Sequence, residues 1–528
     1  MAKAWASTRR AAGTVANEEK SPKGDVTMIR TPQQYIESLN DGRVLYFMGE
    51  RVPDVTKHPI IKRAINAAAM DWILANHPKY RDLLTMEEDG ERIMFLWKQP
   101  KSAEDLVRRR DIFVTCCRIG MGAGSVLHAM GIDALAAAGV VAKRMDERLG
   151  THYMDAVEDY RKHLKKTDPG ITGAITDVKG DRSLRPSKQE QHKDFYVRVV
   201  DKQKNGIIVR GAKFHISSTP VANEIIVSPC RAHREEDKDY AVVFATPLNA
   251  KGIKLILSPP PVMETGEEAE WDWPICGRGG GGGYHYECLI VFDDVFVPWN
   301  RVFMCGEWQF SRDIAWTFGV FHRLFGSSHE VALLEAKAGA ATLIAEYNGL
   351  DKYPHIQEKL AWLAMHAEIC EILSRAACEH PDIDPDTGLV APNLVYTNIA
   401  KYMFANDSAE ASKRLADICG GIVSDCPSYR DWMNPEERPF IEKYLAGKAG
   451  IPTEHRLRMI RLIKDMTGHD NNNTNIHAEG SLAAQIIALY ASGDWARYKA
   501  AAKRMAGIPG WKEHPVFKDL LDYPSRLI

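Results

Sequence analysis

With 528 residues, 45% hydrophobic and 26% charged, the chain is too long for one core and has the balance of an ordinary soluble globular protein. Two or three domains are therefore expected. A formal net charge of −2 leaves no basic footprint for nucleic acid, and no run approaches the ~18 uninterrupted apolar residues that a membrane-spanning helix needs.

The first segment, residues 1–30, reads as a flexible tail. Its opening "MAKAWASTRRAAGTVANEEKSPKGD" has no continuous apolar core for a secretory signal and too few apolar residues to order itself. Its Arg, Ser and Ala content, with no acid before Glu18, is faintly like a transit peptide. Ten cysteines are spread over the chain with no C-x-x-C spacing. That excludes a zinc ribbon and a disulfide framework, and a reducing cytoplasm is the expected location.

Residues 31–165 are patterned as helices, as in "PIIKRAINAAAMDWILANHPKY" and "GSVLHAMGIDALAAAGVVAKRMDERL", with apolar residues at helical spacing. Residues 166–305 change to short β-branched runs, "FYVRVV", "GIIVRGAKF", "NEIIVSP", "YAVVFATP", "IKLIL" and "CLIVFDDVFVP". Gly, Pro, Asn and Asp separate them, which predicts a β-sandwich or β-barrel domain. Residues 306–528 return to long amphipathic helices, a C-terminal bundle with its tail. No βαβ alternation occurs, so a Rossmann fold is not expected. The glycine run "GRGGGGGYHYE" at 277–287 precedes a strand and opens no helix, so it is read as a hairpin or flap and not as a dinucleotide fingerprint.

Within the last segment, "HRLFGSSH" places His322 and His329 seven residues apart, nearly two turns along one helix face. Metal ligands, an acid/base pair and ordinary core histidines are all compatible with that spacing.

Several motifs in order carry a resemblance. "AITDVKGDRSLRPS" (174–187), "NGIIVRGAKFHISSTP" (205–220), "CLIVFDDVFVPWNRVFMCGEW" (288–308), "RDWMNPEERPFIEKYLAG" with "EHRLRMIRLIKDMTG", and "HAEGSLAAQ" resemble the 4-hydroxyphenylacetate 3-hydroxylase superfamily. That superfamily includes two-component flavin monooxygenases and 4-hydroxybutyryl-CoA dehydratase. "TPQQYIESLNDGRVLYFMGERV", "TDVKGDRS" and "FHRLFG" are more similar to the dehydratase branch. The resemblance implies an α+β, acyl-CoA-dehydrogenase-like fold: helical domain, β domain, helical bundle. It also implies FAD and a homotetramer. Thr176, Lys179, Asp181 and Arg182, with Ser217, Ser218 and the His477, Gly480, Ser481 loop, are the implied cofactor-binding residues. They offer hydroxyls, cations and backbone donors of the kind a flavin and its pyrophosphate require. Asn471 to Asn473 read as a polar turn.

The sequence also departs from both branches. The dehydratase branch holds a [4Fe-4S] cluster on three cysteines and a histidine; the matching positions here are Ser125, Ala129, His322 and His329. An iron–sulfur cluster needs thiolates, so no metal is expected. A two-histidine metal site would want a carboxylate beside it, and Glu330 is expected to point off that face. The phenol hydroxylases grip a phenolate with an arginine and a tyrosine, where this chain has Met130 and Ala134. The pocket is expected to be apolar, with His128 as its strong polar group.

What remains implies a FAD-dependent two-component monooxygenase. It would use reduced FAD (FADH2) from a separate reductase, and O2, to hydroxylate an aromatic or related small organic substrate. His322 is the expected acid/base, with His329 and His128 as further candidates. The alternative is a cluster-less acyl-CoA dehydratase or isomerase with His322 as the base.

Overall fold

The computed structural model describes residues 26–120, 127–258, 273, 286–385, 387–468 and 475–521. Ser125, the glycine run up to residue 285, Asn471 to Asn473 and the first 25 residues lie outside it.

Ten strands build two open sheets. They are β1 (Leu45–Phe47), β2 (Glu50–Val52), β3 (Ile171–Ala174), β4 (Arg198–Gln203), β5 (Gly206–Ser217), β6 (Glu224–Val227), β7 (Val242–Pro247), β8 (Ile253–Leu257), β9 (Glu287–Pro298) and β10 (Val302–Cys305). One sheet has the order β10-β7-β6-β3 and the other β2-β1-β8-β9-β5-β4. The expected middle β domain is therefore a pair of open sheets, not a closed barrel. Each quoted β-branched run overlaps a strand. β1 and β2 come from the segment read as helical and pair into the second sheet, Leu45 against Leu255. At three residues each they are too short to display an alternation of period two.

β9 illustrates how the pattern sets the register. Its inward residues are Cys288, Ile290 and Phe292, then Val295 and Val297, a switch from even to odd positions. A register shift against β5 falls between Phe292 and Val295, and Asp294 there has φ 54°. This β-bulge absorbs the extra residue, so the apolar side chains stay inside.

Seven of the longer helices complete the fold. They are α1 (Ala103–Ile119), α2 (His128–Leu149), α3 (Tyr153–Thr167), α4 (Ser311–Tyr347), α5 (Pro354–Glu379), α6 (Leu394–Cys419) and α7 (Leu482–Ser492). α2 is buried along most of its circumference, because it lies between β3 and α4. That explains its "GIDALAAAG" composition. A Cβ on Gly131 would stand 2.5 Å from Ile171, and one on Gly173 3.2 Å from the Met130 carbonyl, so glycine is what lets the helix lie close on the strand. α4 has 37 residues and a length of about 55 Å at 1.5 Å per residue. Its N-terminal part, as far as Ala332, joins the core of the sheets through Ile314, Phe318 and Ala332. Its second half joins the C-terminal core through Ala340, Ala341, Ile344 and Ala345. Among the described residues no helix is long and apolar enough to cross a membrane.

Candidate functional site

Side chains at positions 318, 322, 325 and 329 share one stripe of α4. The His322 ring stacks on Phe325 at 5.6 Å and 14° and lies 5.0 Å from Phe318. Phe325 in turn meets His329 at 6.0 Å and takes Phe113 of α1 edge-on at 5.2 Å. The two histidines thus do share a face, with a phenyl ring between them.

Three helices meet at His322. Asp133 of α2 is fully buried. Its Oδ2 lies 3.0 Å from His322 Nδ1, and its Oδ1 accepts from Arg109 Nη2 of α1 at 2.5 Å. The Arg109 guanidinium lies 5.7 Å from the rings of both Phe113 and Phe321, a cation–π setting that helps a desolvated charge. A carboxylate on Nδ1 selects the tautomer with its proton there, which leaves Nε2 as the acceptor. Nε2 has no hydrogen-bond partner among the described residues. This Arg–Asp–His chain is what a proton-transfer histidine requires: one nitrogen held, the other offered. The expectation of an apolar pocket with His128 as its polar group is corrected, because the polar group that α2 offers His322 is Asp133.

His128 lies elsewhere. Five residues along a helix is a rotation of about 140°, and His128 faces the N-terminal core. Its Nδ1 is 2.6 Å from Asp71 Oδ2, between Trp72 at 5.0 Å and Trp97 at 5.1 Å. Burial raises the Asp71 pKa, and the His128 hydrogen bond opposes that.

His329 has a carboxylate beside it: Glu330 Oε1 is 3.5 Å from Nδ1. The expectation that Glu330 turns off this face is therefore corrected; its side chain is 5% exposed and folds back to the imidazole. Ala129 is buried and offers no donor. Cys116 and Cys117 are buried on α1, and desolvation raises both thiols. Among the described residues no group of three His, Cys, Asp or Glu is arranged to hold a metal ion.

The segments expected to bind a flavin come together in two groups. In the first, the "TDVKGDRS" turn lies along β5. Phe214 N donates to the Thr176 carbonyl at 3.1 Å, Asp177 bridges to Lys213, and Thr172 Oγ1 donates to the Ser217 carbonyl at 3.0 Å. Gly180 has φ +54°. Lys179 and Arg182 are exposed. Asp181 turns inward to its own loop and accepts from Ser183 N and Oγ at 2.9 and 2.7 Å. Ser218 is buried with φ 60°. Ser217 Oγ donates to Glu287 Oε1 at 2.6 Å. Glu287, the last residue of the "GRGGGGGYHYE" stretch, is a half-buried acid; desolvation raises its pKa, with His215 and Ser217 opposing.

In the second group, the His477–Ser481 loop packs on α4. Arg323 Nε donates to the Glu479 carbonyl at 3.0 Å, and a Cβ on Gly326 would reach within 2.6 Å of the Glu479 side chain. Ser481 caps α7 by accepting from Ala484 N. His477 is exposed. Asp133, Arg109 and Glu287 escape sequence reasoning. The only signal is a lone acid inside the apolar run "HAMGIDALAAAG".

Models of the 4-hydroxyphenylacetate 3-hydroxylase N-terminal and C-terminal families match residues 31–304 and 311–507. The chain is 31% identical over 496 residues to the 4-hydroxybutyryl-CoA dehydratase/vinylacetyl-CoA-Delta-isomerase of Clostridium aminobutyricum, covering 91% of this chain and 100% of that one. It is 30% identical over 448 residues to the oxygenase component of 4-hydroxyphenylacetate 3-monooxygenase of Thermus thermophilus, with 83% and 89% covered. Among solved structures, the oxygen-tolerant archaeal 4-hydroxybutyryl-CoA dehydratase of N. maritimus superposes with a TM-score of 0.83 at 31% identity, over 91% of this chain and 96% of that one. The oxygenase component of a 4-hydroxyphenylacetate 3-monooxygenase, complexed with FAD, gives 0.78 at 26% identity, over 90% and 98%.

Proposed function

The chain belongs to the 4-hydroxyphenylacetate 3-hydroxylase family, and on that premise we propose that it is a two-component, FAD-dependent monooxygenase acting on an aromatic or related small organic substrate. The observation that carries this reading is the buried Arg109–Asp133–His322 chain behind a wall of Phe113, Phe318 and Phe325. The residues present fit the cofactor. Lys179 and Arg182 are exposed cations in a tight glycine turn and have no ion-pair partner among the described residues, which suits a pyrophosphate. Bound FAD, reduced by a separate reductase, supplies the redox chemistry with O2. His322 Nε2 moves the proton, Asp133 fixes the tautomer and balances the charge of the imidazolium, and Arg109 holds Asp133 in place. The phenyl rings exclude water from that nitrogen. We further propose a homotetramer and a cytoplasmic location.

A second reading has specific support. The dehydratase/isomerase is matched along its whole length, and His322 could equally take the α-proton of an acyl-CoA thioester. One pair of assays separates them. With FAD, an external flavin reductase and a panel of phenols, the first reading expects substrate-dependent O2 uptake and a hydroxylated product. Conversion of vinylacetyl-CoA under strict anaerobiosis, with no oxygen uptake on any phenol, would replace it by the second.

A further inference from the structure

Arg323 follows His322 on α4 but leaves the helix about 100° further round, toward the Glu479–Ser481 loop. It is 9% exposed. Its one hydrogen bond among the described residues is the Nε contact with the Glu479 carbonyl at 3.0 Å. No carboxylate stands within ion-pair distance among those residues. Glu479, the acid of the same loop, turns its carboxylate to the buried Lys401 Nζ at 3.4 Å. Desolvation draws the Arg323 pKa down to about 10, against the opposing pull of the Glu479 charge.

Two glycines line the fork. A Cβ on Gly480 would stand 3.0 Å from Nη2, and one on Gly319 3.3 Å from Nη1. Both arms of the guanidinium are therefore bordered by bare backbone, and neither arm has an acceptor among the described residues. A buried charge with no ion-pair partner, whose nearest acid is committed to another cation, is costly. A guanidinium presents a planar fork that matches two oxygens of a carboxylate or phosphate. Gly480 has φ +100°, a conformation that L side chains rarely adopt, so the loop keeps glycine here on two independent grounds.

We propose that Arg323 anchors an anionic oxygen group of a ligand, a carboxylate or a phosphate, between α4 and the Glu479–Ser481 loop. Two small molecules could bring such a group, a carboxylate-bearing substrate or the phosphates of the flavin. The inference rests on the reading above only in taking the ligand to be that enzyme's substrate or cofactor.

The test uses the full chain and measures binding, not turnover. Two probe pairs differ in charge: FAD against riboflavin, and 4-hydroxyphenylacetate against 2-(4-hydroxyphenyl)ethanol. Fluorescence titration of wild type is expected to favour the charged member of at least one pair. Arg323→Gln should abolish that preference, a loss of ~10-fold or more for a charge-assisted fork, and Arg323→Lys should restore part of it. Loss in the first pair identifies flavin phosphate; loss in the second identifies a substrate carboxylate. The ligand-free Arg323→Gln protein should melt no lower than wild type, because a desolvated charge with no ion-pair partner is gone. A charge preference that survives in Arg323→Gln overturns the proposal. So does a wild type without one, or a variant that melts many degrees lower while its charge preference persists. Absence of O2 uptake would count against the monooxygenase and leave these binding results standing.

Discussion

Asp133 commits both oxygens, one to a cation and one to an imidazole, and the two partners predict different losses. His322→Gln is expected to keep the fold and FAD affinity but lose turnover by ~10²–10⁴-fold, the usual contribution of a positioned acid or base. His329→Gln should cost much less, because its Nδ1 faces Glu330 and not the Asp133 chain. Steady-state turnover with excess reduced FAD, with and without chelator, checks this. Equal losses in both variants, mimicked by chelator, would mean that the pair binds a metal. Asp133→Asn is a different kind of change. It leaves Arg109 buried without its counter-charge, and breaking such a pair costs ~3–5 kcal/mol. Urea unfolding should therefore find Asp133→Asn far less stable than His322→Gln; equal midpoints would show that the pair carries no such weight. The histidines are legible in the sequence because their spacing is local. Asp133 is not, because its partners lie on two other helices, one of them 189 residues away.

Elements are locked to one another by a second buried carboxylate, Glu224 of β6. It accepts from Arg301 Nη1 at 2.6 Å, from Tyr160 OH at 3.3 Å, and pairs with His163 at 3.3 Å, so α3, β6 and the turn before β10 share one charge. Burial pushes its pKa up, but His163 and Arg301 outweigh burial and hold it below the ordinary 4.5. A carboxyl lowered in the folded state contributes stability that is present above the unfolded value and lost as pH falls through the folded one. The melting temperature of wild type should accordingly drop as pH falls below 4.5, and the gap between wild type and Glu224→Gln should narrow over that range. A gap that stays constant from neutral pH down through that range would contradict the assignment. At this scale much is readable. The runs that form β5 to β9 are visible by composition, and the helical, β, helical order holds. The sheet membership of β1 and β2 is hidden by their length, and the bulge at Asp294 by the fact that a parity switch looks like an ordinary polar pair, "DD".

The whole molecule leaves apolar side chains in solvent at its C-terminal end. Ile487, Tyr490, Trp495, Tyr498 and Met505 are between 45% and 90% exposed, a concentration that single chains rarely tolerate. The proposed homotetramer predicts that light scattering at micromolar concentration gives about four times 59.2 kDa; a stable monomer would refute it. α4 bears on a different property. Because one continuous helix is shared by the core of the sheets and the C-terminal core, neither can open without fraying the element that belongs to the other. Opening of the two regions is then one cooperative event, and the amides in the middle of α4 should exchange with deuterium only through near-global unfolding. The Glu479–Ser481 loop rests on that helix by few bonds and should exchange far sooner. Ligand-induced protection would therefore register first in the loop, against a helix already silent.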